Sequence, residues 1–152
     1  MILSTQAYLI KDGKWLMLLR NKKQNDVNEG KWIGVGGKFE PGETAEQCVK
    51  REIREETGYE AGRLEYAGML DFIYEGVESE RIWVYTCSDF SGSQTECTEG
   101  TLRWIEESKI MDLNLWEGDR IYLRQMLEHQ EGQFHLRLTY NSEGQLTEAL
   151  NI

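Results

Sequence analysis

GKFEPGETAEQCVKREIREETGY, running from Gly37 to Tyr59, is the stretch whose reading decides the fold of this 152-residue chain. Thr44 followed three residues later by Gln47 forms a capping box, and Glu43 and Glu46 place negative charge where a helix N-terminus is positive. Gly58 supplies a left-handed stop. The spacing predicts a helix from Thr44 to Thr57. At about 100° per residue, Ala45, Cys48, Val49 and Ile53 share one apolar face, and Glu52 and Glu56 fall at about 340° and 20° from Ala45, in the middle of it. Glu55 lies just to one side, with Arg51 one turn before it, while Gln47, Lys50 and Arg54 form the solvated face that such a charge run usually represents. Carboxylates on a buried face repel one another and cost free energy unless neutralised. A hard divalent cation, Mg2+ above all, removes that conflict by taking oxygen ligands.

The residues before the helix suit the same purpose. Gly34, Gly36, Gly37 and Gly42, with the only proline at Pro41, are expected to build a sharp loop whose backbone can approach a ligand closely, and Lys38 adds a cation. Magnesium bridging phosphate oxygens beside a carboxylate-positioned water is what hydrolysis of a phosphoanhydride requires.

Over this region, Gly37, Glu43, Arg51, Glu52, Ile53, Glu55, Glu56 and Gly58 fit the pattern G-x5-E-x7-R-E-U-x-E-E-x-G-U, with Tyr59 where an aliphatic residue is more usual. The pattern resembles the Nudix box. The resemblance implies an α/β (α+β) fold, a Nudix-type α/β/α sandwich with a mixed, mostly antiparallel central sheet, and Mg2+-dependent hydrolysis, with Mn2+ as a possible substitute. It implies Glu52, Glu55, Glu56 and Arg51 as catalytic residues, and Glu52, Glu55, Glu56 and the Gly36 carbonyl as metal ligands. The run LLRNKKQNDVNEGKWIGVGG, Leu18 to Gly37, and the later Trp104, Trp116, Asp119 and Phe134-His135 are similar to the MutT-type branch, which hydrolyses oxidised purine nucleoside triphosphates such as 8-oxo-dGTP to the monophosphate and pyrophosphate. In that branch Glu99 corresponds to a downstream acid that completes the metal site, the alternative being a solvated loop glutamate. Lys23, Gly36, Gly37, Lys38, Trp116 and Asp119 become the substrate contacts. An indole can stack on a purine and a carboxylate can read a guanine-like edge. Trp116 is otherwise a core aromatic, Asp119 a helix cap and Lys23 a surface lysine. Two positions depart from the branch: Ile33 stands where an asparagine is usual, and Gly118 where a second acid is. The competing readings are a Nudix hydrolase of another specificity (general nucleoside triphosphate, ADP-sugar or dinucleotide), a non-catalytic nucleotide-binding domain, and an interaction module.

The rest of the chain bounds these readings. With 39% hydrophobic residues and no linker-like tract, residues 1–152 are expected to form a single domain. A net charge of −10 opposes binding to a nucleic-acid polymer but is compatible with a small metal-complexed nucleotide. The N-terminal MILSTQAYLIKDGK lacks a basic n-region and a long apolar segment, so no membrane partner and a cytoplasmic location are expected. Cys48, Cys87 and Cys97, widely spaced, are expected as free thiols. The oligomer is left as monomer or homodimer. Alternation and turn residues predict strands at Thr5–Ile10 and Trp15–Arg20 around Asp12-Gly13, Trp32–Val35, Leu64–Tyr74 paired antiparallel with Arg81–Ser88, Leu102–Ile105, and a closing hairpin of Phe134–Thr139 and Leu146–Leu150 over Asn141–Gly144. A second helix is predicted over Gly118–His129.

Overall fold

The computed structural model describes residues 1–152. Its strands are β1 (Ile2–Lys11), β2 (Lys14–Leu19), β3 (Trp32–Ile33), β4 (Tyr59–Ala61), β5 (Glu65–Tyr74), β6 (Glu80–Cys87), β7 (Phe90–Gly92), β8 (Thr101–Glu106), β9 (Phe134–Tyr140) and β10 (Leu146–Asn151). The helices are α1 (Ala45–Thr57) and α2 (Glu117–Leu127), with a 3-10 turn at Glu107–Asp112 between β8 and α2. Eight strands form one sheet in the order β10-β9-β5-β6-β1-β2-β3, with β8 also on β2. The pairs β1–β6 and β5–β9 are parallel, and the remaining pairs in this sheet are antiparallel. The expected mixed, mostly antiparallel sheet is therefore the one found.

β1 anchors the sheet. Its residues Ile2 to Leu9 pair in parallel with β6 from Glu80 to Cys87, so β1 meets β2 only at Ile10↔Trp15 and Lys11↔Lys14, around a turn with positive φ at Asp12 and Gly13. Successive side chains of a strand point to opposite faces. The Thr5 hydroxyl meets Cys48 of α1 at 3.4 Å, whereas Gln6 and Tyr8 meet Tyr122 of α2. The two helices thus cover opposite faces of β1, which makes the sandwich. A contiguous core runs through both layers, from Val49 and Ile53 on α1 to Tyr122 and Leu123 on α2.

α1 begins as its capping box dictates. Gln47 N–H donates to Thr44 Oγ1 at 3.2 Å, and Gln47 Oε1 accepts from Thr44 N–H at 2.9 Å. It ends at Gly58 with φ 83°. Cys48, Val49 and Ile53 are fully buried, and Glu56 is nearly so. All three cysteines are free thiols. The hairpin β9–β10 forms as expected, as does the antiparallel pair β5–β6. No helix is long and apolar enough to cross a membrane.

The glycine-rich segment differs from the expected loop. Residues 35 to 39 lie along β1 as an extended chain, with reciprocal Ala7–Val35 bonds, Thr5 N–H to Gly37 O at 2.9 Å and Phe39 N–H to Leu3 O at 3.0 Å. The close approach that the glycines permit is made to the chain itself. A Cβ on Gly36 would lie 2.0 Å from Thr5 O, and one on Gly37 would lie 2.6 Å from the Glu52 carboxyl. Only Gly42, at φ 82°, serves as the sharp turn leading into α1.

Candidate active site

A cavity of about 570 Å³ opens between the glycine segment, the N-terminal half of β1 and the start of α2. Arg51, Glu52, Glu55, Gly36, Gly37, Lys38, Lys23, Glu99, Trp116 and Asp119 all line it. Glu56 sits one layer behind, buried, with Oε2 accepting the Gly36 N–H at 2.7 Å. The structure therefore brings together residues spread from Lys23 to Asp119 in sequence.

Its acidic end is built on α1. Burial, reinforced by the charges of Glu52 and Glu99, pushes the Glu56 carboxyl up to about 9 against the pull of the Gly36 N–H. Burial also raises Glu52, helped by Glu55 and Glu99 and opposed by Arg51. Glu99 consequently belongs to the same electrostatic cluster, although it lies far from the helix in sequence. Arg20 holds it there, with Nη1 3.2 Å from Glu99 Oε2 and Nε 2.8 Å from Asp26 Oδ2.

Arg51 is the tie between segment and helix. Its Nε and Nη2 take both Glu43 oxygens at 2.6 and 2.9 Å, Nη1 reaches Glu52 at 2.8 Å and Glu55 at 3.1 Å, and Nη2 also bonds Lys38 O at 3.1 Å. All five guanidinium N–H groups are engaged. Hydrogen bonding from Arg51 holds the Glu43 carboxyl down to about 2. Such geometry suits a residue that positions Glu52 and Glu55 better than one that meets substrate.

With Arg51 on Glu52 and Glu55 and Gly36 on Glu56, no three acidic side chains converge on one point. The chemistry of the donor set nevertheless fits a hard cation: oxygen ligands only, with a buried Glu56 and a half-buried Glu52 whose ionisation burial opposes. Glu52, Glu55, Glu56 and Glu99, with the Gly36 carbonyl, are the oxygen groups here that could hold it.

The far end is aromatic and polar. Trp116, only 5% exposed, caps α2 and packs edge-on against Phe72 and Tyr140 at 5.3 and 4.9 Å, with Lys31 Nζ 5.1 Å over its ring and Nε1 donating to Asn28 at 2.8 Å. It is both a core aromatic and part of the cavity wall. Asp119 is buried, and burial pushes its carboxyl up to about 7, with Lys31 and the nearby Tyr122 hydroxyl opposing. Lys23 and Lys38 are exposed at the rim. Ile33 contributes an apolar wall. Gly118 has a steric reason: a Cβ there would lie 2.6 Å from the Tyr140 hydroxyl, which already accepts the Gly118 N–H at 2.8 Å. No second acid can stand at that position without moving Tyr140.

Sequence reasoning passed over Gln6, Arg20 and Asn28, which line the same cavity. Gln6 and Arg20 are each 9% exposed. The available signal was a polar residue inside an apolar strand run, STQAYLI for Gln6 and WLMLLR for Arg20, since buried polar side chains need a partner or a task.

A fold with carboxylates clustered on α1 against a glycine segment defines a hydrolase of the Nudix class. The NUDIX domain family model matches residues 4–126, so the chain belongs to the Nudix family, whose hydrolases cleave phosphoanhydrides of small nucleotides. It is 29% identical to an oxidized purine nucleoside triphosphate hydrolase of Danio rerio, over 83% of this chain and 80% of that one. It is 31% identical to an uncharacterized Nudix hydrolase, YvcI, of Bacillus subtilis, over 93% and 89% of the two chains. The crystal structure of a MutT protein from Bacillus halodurans superposes with a TM-score of 0.87 at 22% identity, covering 99% of this chain and 97% of that one.

Proposed function

We propose that this enzyme is a Mg2+-dependent pyrophosphohydrolase of purine nucleoside triphosphates, with oxidised guanine nucleotides such as 8-oxo-dGTP among its substrates, releasing the monophosphate and pyrophosphate in a nucleotide-pool sanitation role. The observation that carries the reading is one cavity with two chemically distinct ends. Glu52 and Glu99 line one end with Glu56 buried behind them, and Asp119, Gln6 and Asn28 stand beside Trp116 at the other. A bound magnesium ion would neutralise phosphate oxygens and lower the barrier to attack by water. Within the chain, Glu56 and Glu52 supply the negative charge that retains such an ion, Arg51 orients Glu52 and Glu55, and the Glu55 oxygen that Arg51 leaves open takes a proton from water. Lys23 and Lys38 at the rim offset phosphate charge, Trp116 walls the base, and Asp119 accepts its N–H donors. We place the protein in the cytoplasm, as a monomer or homodimer, where free thiols persist.

The test is steady-state pyrophosphate release with Mg2+ across 8-oxo-dGTP, dGTP, dATP, ADP-ribose, NADH and diadenosine polyphosphates. Higher kcat/KM for 8-oxo-dGTP than for dGTP or dATP supports the reading. Preference for ADP-ribose or a dinucleotide replaces it with another Nudix specificity, and absence of turnover throughout favours a nucleotide-binding role.

A further inference from the structure

Behind the base end of the cavity lies a closed chain of hydrogen bonds that the proposed chemistry does not use. Gln6 Nε2 donates to Tyr8 OH at 2.9 Å and to Tyr122 OH at 2.8 Å, and the two hydroxyls are 2.6 Å apart. Each tyrosine has one proton to give. The 2.6 Å contact between the two hydroxyls uses one of these protons. Both hydroxyls accept an amide N–H from Gln6, whose carbonyl is thereby turned away from them. That carbonyl oxygen makes no hydrogen bond within the chain and is not sealed in, while Gln6 itself is 91% buried and lines the cavity.

We infer that Gln6 is a specificity-determining residue: its Oε1, locked outward by Tyr8 and Tyr122, joins Asp119 as a second acceptor and selects a purine edge carrying adjacent N–H donors. The class is a 6-oxo-2-amino purine, whose N1–H and 2-amino group offer two donors side by side. Adenine presents its N1 lone pair where an acceptor already stands, which is repulsive. Gln6 thereby supplies from β1 the acceptor that Gly118 cannot carry, because Tyr140 occupies that space. The inference rests on the purine nucleotide reading above and sharpens it.

The experiment is binding of dGMP, dIMP and dAMP to the full-length protein by titration calorimetry, for wild type and Gln6→Met, with melting curves to verify folding. In wild type, dGMP should bind at least about tenfold tighter than dAMP, with dIMP, which lacks the 2-amino group, in between. In Gln6→Met the dGMP-to-dAMP affinity ratio should fall about tenfold. Tyr122→Phe, which frees the amide to rotate, should lower the same ratio, and it decides the matter should Gln6→Met not fold. Equal wild-type affinities for dGMP and dAMP overturn the inference and leave purine triphosphate hydrolysis standing. A uniform loss across the three nucleotides with the ratio preserved also overturns it, assigning Gln6 to packing alone. Absence of binding for all three, together with absence of pyrophosphate release from any purine triphosphate, removes the enzyme reading and the inference with it.

Discussion

Replacing Glu56 by glutamine should change how the metal-free protein responds to pH more than it changes the fold. The carboxamide keeps an oxygen for the Gly36 N–H, which bonds Glu56 at 2.7 Å, and adds no volume. What it removes is an ionisation: burial raises this carboxyl from its ordinary 4.5 to about 9. A folded-state value above the unfolded one means that the native protein holds a proton the unfolded chain has released. The stability linked to this group is therefore intact below about pH 4.5 and is lost as pH rises toward 9, by about 1.4 kcal/mol per unit. Between about pH 5.5 and about pH 8.5 the wild type should lose about 4 kcal/mol relative to Glu56→Gln, a large part of a domain's ordinary margin. Urea denaturation in EDTA at several pH values measures it. Glu52 and Asp119, raised by burial as well, leave a residual slope in both proteins, so the difference between the two curves is the quantity to read. Parallel curves would refute the assignment of a buried, proton-holding carboxyl to Glu56.

Four further outcomes follow from the same geometry. Millimolar Mg2+ or Mn2+ should raise the melting temperature of the wild type, more at alkaline than at neutral pH because binding must displace the Glu56 proton, and should leave Glu56→Gln nearly unmoved; a pH-independent shift would count against the cluster. Arg51→Lys cannot replace a five-donor fork, so kcat should drop about tenfold or more with KM little changed, and stability should fall by about 2 kcal/mol as judged by urea midpoint. Gly118→Asp should cost about 1–3 kcal/mol through collision with Tyr140, whereas a stable, active variant would show that Tyr140 yields readily. Trp116→Ala should cost about 3–5 kcal/mol as a core deletion, so its base-binding part has to be read from KM in Trp116→Phe, where a rise for every purine nucleotide is expected.

Local signals carried most of what could be read ahead of the structure. The capping box and Gly58 delimited α1 to within a residue, and helical periodicity put Glu52 and Glu56 on the face that is in fact buried, because both depend on neighbours three or four residues apart. Strand positions were legible from alternation for the same reason. Pairing was not. The parallel registers β1–β6 and β5–β9 join residues some 65 to 80 positions apart, and the small β4–β7 ladder has too few residues to alternate visibly. Partner choice also set the limits at the site. The family resemblance could propose Glu99 but could not show Arg20 holding it, nor the five bonds by which Arg51 ties Glu43, Glu52, Glu55 and Lys38 together. The glycine run looked like a ligand cradle, yet Gly36 and Gly37 are small because Thr5 and Glu52 press against them. Gly118 looked like a missing acid until Tyr140 was seen to fill the space.

The central claim, a carboxylate-held metal acting on a purine nucleoside triphosphate, is tested most directly by phosphorus-31 NMR of 8-oxo-dGTP incubated with the wild-type protein and Mg2+. The expected spectrum shows 8-oxo-dGMP and pyrophosphate growing together, abolished by EDTA and slowed about a hundredfold or more in Glu52→Gln and Glu56→Gln. Release of orthophosphate and a diphosphate, undiminished turnover in EDTA, or full activity in both variants would contradict it.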